Sequence, residues 1–349
     1  MTAPFAHYPD GVKSTGRARP PVIADVARAA GVSVPTVSRV LNGSVPVSPE
    51  KRARVMAAVR RLGYRPNGAA RALVRGRQAM IALIAGNTSR YGYATTIQGV
   101  EEAARQAGYM VVISVVETAD GASVDSALDL ILSQPVAGAI VLEYDPPGEA
   151  ALRAMPSTLP TVAVAPSRGG RQDVPHAFMD DRTAAEHATR YLLDLGHEVV
   201  HHVAVPRSER WTGRTAGWRT ALEAAGVPLP EVMEADWTPR SGYRWGLRLA
   251  ERDDVTAVLC GNDEVAIGVM RGLQERGRRI PEDVSVVGFD DHPLSELWLP
   301  PLTTVRQDFV ELGRQTFGLL KAVIDDAPHP SSVSVAPELI VRGSATRPR

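Results

Sequence analysis

Cysteine is almost absent: Cys260 is the only one in 349 residues. No intramolecular disulfide can form, which fits a reducing compartment. No apolar run approaches the ~18 residues that a membrane-spanning helix needs. The opening stretch MTAPFAHYPDGVKSTGRARPP lacks the apolar centre of a secretory leader, so a cytoplasmic protein is expected. Net charge is zero, but that balance hides an asymmetry. Residues 1–77 carry 14 Lys+Arg against 3 Asp+Glu, and the remainder carries 25 against 36. A basic head on an acidic body is the electrostatic pattern of a phosphate-binding module joined to a separate domain. Phosphate-loop, dinucleotide-fold and nucleophile-elbow glycine patterns are also missing, which removes the usual support for nucleotide or hydrolase chemistry.

Residues 23–41, IADVARAAGVSVPTVSRVL, organise the head. Ile23, Val26, Ala27 and Ala30 recur at helical spacing. Gly31 is placed to end that helix in the left-handed conformation. Ser33 is placed to cap a second helix, its hydroxyl accepting a backbone N–H. Val37, Val40 and Leu41 form the inner stripe of the second helix, and Val34, Pro35, Ser38 and Arg39 face outward. Two short helices joined by a Gly-containing turn form the helix-turn-helix unit, whose second helix enters the DNA major groove. A third helix follows, with Ser48 at its cap, Pro49 in its first turn and Gly63 at its end. Lys51, Arg52, Arg54, Arg60 and Arg61 read as its exposed charges, some of them reaching phosphates, and Tyr64 folds back onto the bundle.

From Met80 the pattern becomes strand–helix alternation, the mark of βαβ units around parallel sheets. The amount of this material suits two open sheets, hence two lobes and a cleft, with ligands outside the carboxyl ends of the strands. One stretch points to an enzyme: His197-Glu198-Val199-Val200-His201 matches H-E-x-x-H. Zinc chemistry needs both histidines on one helix face. Here a helix ends before Gly196 and a strand follows, and on a strand residues four apart are separated by about 13 Å. No metal or cofactor is expected. A transporter's solute-binding protein is the other rival, but it would need an export signal and no helix-turn-helix.

DVARAAGVS, TVSRVLN and VSPEKRARVMAAVRRLGYRPN, followed by AARAL, resemble the headpiece of the LacI/GalR family of bacterial repressors. CGNDEVAIGVMRGL (260–273), VSVVGFDD (284–291) and PPLTTVRQDF (300–309) resemble the same family's effector domain. The resemblance spans about residues 21–345. It implies an α/β fold with an all-α helix-turn-helix headpiece and a two-lobed body, like a periplasmic binding protein, containing two parallel sheets. The expected divisions are an arm (1–20), a headpiece (21–66), a hinge and linker (67–78) and an effector and dimerisation domain (79–349). Lobe 1 would hold about 79–178 and 308–331, and lobe 2 about 179–306 and 332–345.

The resemblance places Val34, Pro35, Ser38 and Arg39 on the base-reading surface, with Arg39 able to grip a guanine edge. It places Ser33, Thr36, Asn42 and Tyr64 at the DNA backbone. Val22 stands where the family carries a capping Thr or Ser, so Pro20-Pro21 would set the helix entry instead. Asn67, Ala70, Arg71 and Leu73 match the hinge helix, with Leu73 as the apolar wedge in the minor groove. Arg214, Asn262 and Asp290 match polar effector contacts, and Trp237 could stack on a sugar face. Asn-Thr-Ser-Arg-Tyr-Gly-Tyr (87–93) departs from the family's commoner Asn-Pro-Phe-Phe, so Arg90 and Tyr91, or Tyr93, would form the other wall. The partners implied are double-stranded operator DNA, a small carbohydrate effector such as a glycoside, and a second copy of the chain. The last residues carry no leucine heptad, so a dimer is expected rather than a coiled-coil tetramer.

Overall fold

The computed structural model describes residues 19–42, 46–65, 80–165, 174–206 and 213–349. The expected arm, apart from its last two residues, and the hinge residues Asn67, Ala70, Arg71 and Leu73 lie outside the described residues. The chain divides into two compact units, 1–77 and 78–349.

Three helices build the first unit: α1 (Ile23–Ala30), α2 (Val34–Asn42) and α3 (Pro49–Leu62). Val26, Ala27, Ala30, Val37, Val40, Val55 and Ala58 form its core, with Leu41, Leu62 and Tyr64 packed around them. Gly31 ends α1 at φ 63°, where a side chain would be strained. Its N–H and that of Val32 return to the carbonyls of Arg28 and Ala27. Val22 has no side-chain oxygen to cap the first turn of α1, as expected, but the carboxylate of Asp25 accepts the Val22 N–H at 3.0 Å, the half of a capping box that the third helical residue supplies. That bond lowers the pKa of Asp25.

The second unit holds two six-stranded sheets. In chain order the first lobe runs β1 (Met80–Ala85), α4 (Tyr91–Gln106), β2 (Met110–Val115), α5 (Gly121–Leu132), β3 (Ala139–Leu142), α6 (Pro146–Ala154), β4 (Thr161–Ala165) and β5 (His176–Met179). The chain then enters the second lobe with α7 (Asp181–Asp194), β6 (His201–Ala204), α8 (Arg214–Ala224), β7 (Met233–Glu234) and α9 (Pro239–Leu249). There follow β8 (Ala257–Cys260), α10 (Asp263–Glu275), β9 (Ser285–Asp290) and β10 (Thr303–Arg306). It returns to lobe 1 for α11 (Phe309–Ile324) and β11 (Ser332–Val335), then ends in lobe 2 with β12 (Glu338–Ile340).

The lobe 1 sheet has the order β11-β5-β4-β3-β1-β2 and is parallel throughout. The lobe 2 sheet has the order β12-β10-β9-β8-β6-β7, with only β12 antiparallel. One boundary differs from expectation. Ser332–Val335 pairs with β5, so the last crossing falls between Val335 and Glu338 rather than at residue 332.

Side-chain alternation along each strand feeds two cores per sheet. Ile81, Leu83 and Ala85 face one way, and Ala82 and Ile84 the other. In lobe 2, Val258 and Cys260 oppose Ala257 and Leu259. Helices cover both faces, so the strands read as continuous apolar runs. Among the described residues no helix is long and apolar enough to cross a membrane.

Candidate functional site

A cavity of about 180 Å³ lies between the lobes, at the carboxyl ends of both sheets. Lobe 1 contributes Arg90 and Tyr91 from the start of α4, Tyr144 after β3, and Ala165 and Met179 from strand ends. Lobe 2 contributes Arg214, Trp237, Asn262, Glu264 and Asp290. All six effector residues expected from the sequence therefore meet around one space.

Arg214, the first residue of α8, anchors it. Its Nε donates to Asp181 Oδ2 at 3.0 Å and its Nη2 to Gln307 Oε1 at 2.8 Å. Nη1 donates to the carbonyl of Gly261, and Nη2 lies 3.1 Å from Asp290 Oδ1 in an ion pair. The guanidinium also lies 4.0 Å from the centre of the Phe289 ring. Burial alone would lower its pKa, but Asp181 and Asp290 outweigh burial and raise it. Gln307 in turn donates to Asp181. Asp181 and Gln307 sit on the first two crossings between lobes, so Arg214 is held by the chain segments that join the cavity's walls.

Asp290 ends β9 with φ 111°, a conformation that non-glycine residues adopt only when surroundings enforce it. Burial pushes its carboxyl up to about 8 against the opposing pull of Arg214. No hydrogen-bond donor of the described residues is aimed at its Oδ1. Behind it, Asp263 is buried and accepts Thr304 Oγ1 at 2.6 Å, Ser295 Oγ at 2.7 Å and the His292 N–H at 2.7 Å. Burial raises Asp263 to about 6 despite those bonds.

Asn262 has a structural duty as well as a place in the lining. Its Oδ1 caps α10 by accepting the Val265 N–H at 2.8 Å, which leaves its amide NH₂ as the group it can offer a ligand. Trp237 lines the cavity, half-buried, with the guanidinium of Arg90 5.1 Å from its ring centre. Tyr91 meets His292 at 4.8 Å between centroids, tilted by 59°, and Phe309 edge-on at 5.9 Å. Both Arg90 with Trp237 and Tyr91 with His292 bridge the lobes. Tyr93 is instead buried edge-on against Tyr144 and is less able than Tyr91 to offer a ring face.

Sequence reasoning missed Asp181, Gln307 and His202. Gln307 stood within the quoted PPLTTVRQDF stretch, and Asp181 follows a second aspartate at the head of a helix. Neither carries a spacing that marks it out. His202 lies in β6, donates from Nδ1 to the Leu259 carbonyl at 3.0 Å and accepts the Thr215 hydroxyl on Nε2 at 3.1 Å.

The H-E-x-x-H stretch does not form a metal site. His197 precedes β6 and bonds Thr256 Oγ1 at 3.0 Å and the Thr346 carbonyl at 2.9 Å, whereas His201 faces Arg252. No cluster of metal-ligating side chains occurs among the described residues.

In the headpiece, Val34, Pro35 and Arg39 of α2 are exposed and Thr36 and Ser38 half-buried. Ser33 occupies the cap position, its carbonyl accepting the N–H groups of Thr36 and Val37. Its hydroxyl bonds the Thr36 hydroxyl at 2.9 Å rather than a backbone N–H. Asn42 closes α2, and its side chain lies outside what is described. Tyr64 is half-buried against the headpiece core, as its position after Gly63 requires.

Arg54 is exposed, as expected, and is also tied back to α1: Nε bonds the Ala30 carbonyl at 2.9 Å and Nη2 bonds both Ala30 and, at 2.9 Å, Gly31. Helix termini leave carbonyls without partners, and Arg54 supplies them for α1.

A helix-turn-helix unit together with a two-lobed α/β body that holds an interlobe cavity defines the class of DNA-binding transcriptional regulators with a periplasmic-binding-protein-like body. Residues 22–67 match the bacterial regulatory proteins of the lacI family, and residues 189–345 match the periplasmic binding protein-like domain. Catabolite control protein A of Priestia megaterium is 32% identical over 333 residues, covering 93% of this chain and 99% of that protein. The crystal structure of the lac repressor dimer bound to operator and an anti-inducer matches with a TM-score of 0.82 and 29% identity, covering 94% of this chain and all of that one. A complex of the regulator CelR with cellobiose matches with a TM-score of 0.69 and 31% identity, over 93% and 100% of the two chains. The chain belongs to the lacI family and is a DNA-binding transcriptional repressor.

Proposed function

We propose that this repressor binds a pseudo-palindromic operator as a homodimer and that a sugar or glycoside in the interlobe cavity controls its grip. On this reading Val34, Pro35, Ser38 and Arg39 face bases in the major groove. Ser33, Thr36, Asn42 and Tyr64 contact the DNA backbone, and Asn67, Ala70, Arg71 and Leu73 form the hinge that enters the minor groove. Arg214, Asn262 and Asp290 bind ligand hydroxyls, Trp237 stacks on the ring, and Arg90 and Tyr91 close the far wall.

One observation carries the proposal: Arg214, in the lining of the cavity, is bonded to both Asp181 and Gln307, the residues at the first two lobe crossings. A ligand that bonds Arg214 or Asp290 must change the balance of contacts at those crossings. It shifts the lobes by as much as its affinity differs between their arrangements, and operator affinity changes by the linked amount. The reading favours induction, in which the occupied cleft weakens operator binding. A transporter role lacks support, because the helix-turn-helix has no use there.

The test is fluorescence anisotropy of the full-length protein on labelled duplexes from its own genomic neighbourhood. Binding should weaken steeply with salt, and one member of a sugar panel should shift it. Indifference to every such duplex at low salt would overturn the proposal.

A further inference from the structure

Asp290 ends β9 and Asp291 follows it, and both hold positive backbone angles, with φ 111° and 54°. Two such residues in succession, neither a glycine, persist only where their surroundings fix them. The Asp291 N–H donates to Thr304 Oγ1 at 3.4 Å, and the His292 N–H donates to the buried carboxylate of Asp263 at 2.7 Å. The bend sends the two carboxylates to different tasks. Asp290 lines the cavity and pairs with Arg214, whereas Asp291 stands outside that lining.

Asp291 is a clamp between strands. Its Oδ2 accepts Arg306 Nε and its Oδ1 accepts Arg342 Nη2, both at 2.7 Å. Its side chain is only 12% exposed, and hydrogen bonds between two charged groups are the strong ones. Arg306 ends β10, immediately before Gln307 at the second crossing. Its guanidinium also lies 3.7 Å from Glu338 Oε2, on the first residue of β12 after the third crossing. Arg342 follows β12 and donates to the Leu302 carbonyl ahead of β10 at 2.9 Å. One carboxylate therefore fastens the strand that leaves lobe 2 at the second crossing to the segment that enters it at the third. The first crossing is reached from the neighbouring residue, through Asp290, Arg214 and Asp181.

We propose that Asp291 is a positioning residue that sets the angle between the lobes. The second and third crossings must bend together for the lobes to turn, and Asp291 fixes how their lobe 2 ends stand to each other. It shares a peptide plane with Asp290, so a rotation of Asp290 acts on the clamp. The inference stands on the crossings and not on what fills the cleft.

The experiment reads the interlobe distance in the full-length protein by pulsed dipolar electron spin resonance. Gly318→Cys on α11 and Glu223→Cys on α8 place one spin label in each lobe. Both positions are exposed, and a Cβ at Gly318 meets nothing within 4 Å. Cys260 is buried and stays unlabelled. Labelled chains are diluted with unlabelled ones, so that only distances within one chain are read. Asp291→Asn keeps the shape of the side chain, suits left-handed backbone and removes the charge. Arg306→Gln breaks the clamp from its exposed side and carries the test if Asp291→Asn does not fold. In each, the distance distribution should shift or broaden by about 2 Å or more. Arg279→Gln, which breaks a surface pair with Asp283 elsewhere in lobe 2, should leave it unchanged. A distribution equal to the parent's in both clamp variants overturns the inference, and so does an equal change in Arg279→Gln. Operator binding is measured on the same samples. If the lobes move and operator affinity does not, the link between lobes and grip set out above fails while this inference stands.

Discussion

Gln307 donates its side-chain amide to Asp181, joining two chain segments 126 residues apart in sequence, each on its way from one lobe to the other. Arg214 bonds both partners of that pair. The three side chains form one polar unit, and its geometry changes if either crossing bends. Arg214→Ala would take the guanidinium away from Asp181, Asp290 and Gln307, which are bonded to it in the lining of the cleft. Losing hydrogen bonds to a charged group costs about 1.5–3 kcal/mol, so urea melts of this variant should show a loss of that order. Calorimetry should show effector binding gone, while binding to operator persists at temperatures where the variant is folded.

Arg39→Ala should do the reverse. A bidentate guanine contact is worth about 1–3 kcal/mol of discrimination. Specific operator binding should fall by up to about a hundredfold toward the level of a scrambled duplex, measured by anisotropy at fixed salt. Effector affinity should not change. A variant that still separates operator from scrambled DNA would remove Arg39 from the reading surface.

Arg54→Ala tests the fastening of α1 to α3. Removing charged hydrogen bonds to the Ala30 and Gly31 carbonyls should cost the headpiece about 1.5–3 kcal/mol, seen as a lower midpoint for its unfolding. Because α2 begins just beyond that turn, operator affinity should weaken too. Gly31→Ala attacks the same joint, placing a Cβ 2.6 Å from Arg54 Nη2 at a residue with φ 63°. It should cost about 1 kcal/mol or more.

Asp290 makes stability depend on pH in a definite direction. Its carboxyl is raised to about 8 by burial in the folded chain, against an ordinary 3.8. The folded state therefore holds this proton where the unfolded state has lost it. The contribution is fully present below about pH 4 and is lost as pH rises through 8. Asp290→Asn removes that dependence. Between pH 4 and 8 the melting temperature of the variant should fall less, or rise more, than that of the native chain, followed by circular dichroism. Parallel profiles would show that Asp290 stays ionised throughout.

Much of this architecture is legible from residue order alone. Glycines at 31 and 63 and the apolar stripes of α1 to α3 specify the headpiece, and β1, β3, β8 and β9 are buried on both faces and read as unbroken apolar runs. Several of the elements that escape are short or begin with unpromising residues. α6 opens Pro-Pro-Gly, β7 is two residues long, and β5 carries a buried histidine. The lobe assignment of Ser332–Val335 escapes for another reason: strand partners are chosen in three dimensions, and its half-buried sequence fits either sheet edge. In the cleft, strand-end residues such as Asn262 and Asp290 could be anticipated. Asp181 and Gln307 could not, since their importance comes from meeting each other, and no local pattern records that. The exposure of Arg54 was legible but its bonds to the Ala30 and Gly31 carbonyls were not, because a charge on a helix surface gives no sign of the carbonyls it faces.

The chain passes between the lobes after Met179, after Arg306 and after Val335, so neither lobe is a continuous stretch of polypeptide. No single cut frees one from the other. A nick at any passage leaves fragments that remain interleaved, each short of strands that the other supplies. Neither half of the cleft can be expressed, exchanged or lost by itself, and whatever sensing this repressor does must be inherited as one indivisible piece.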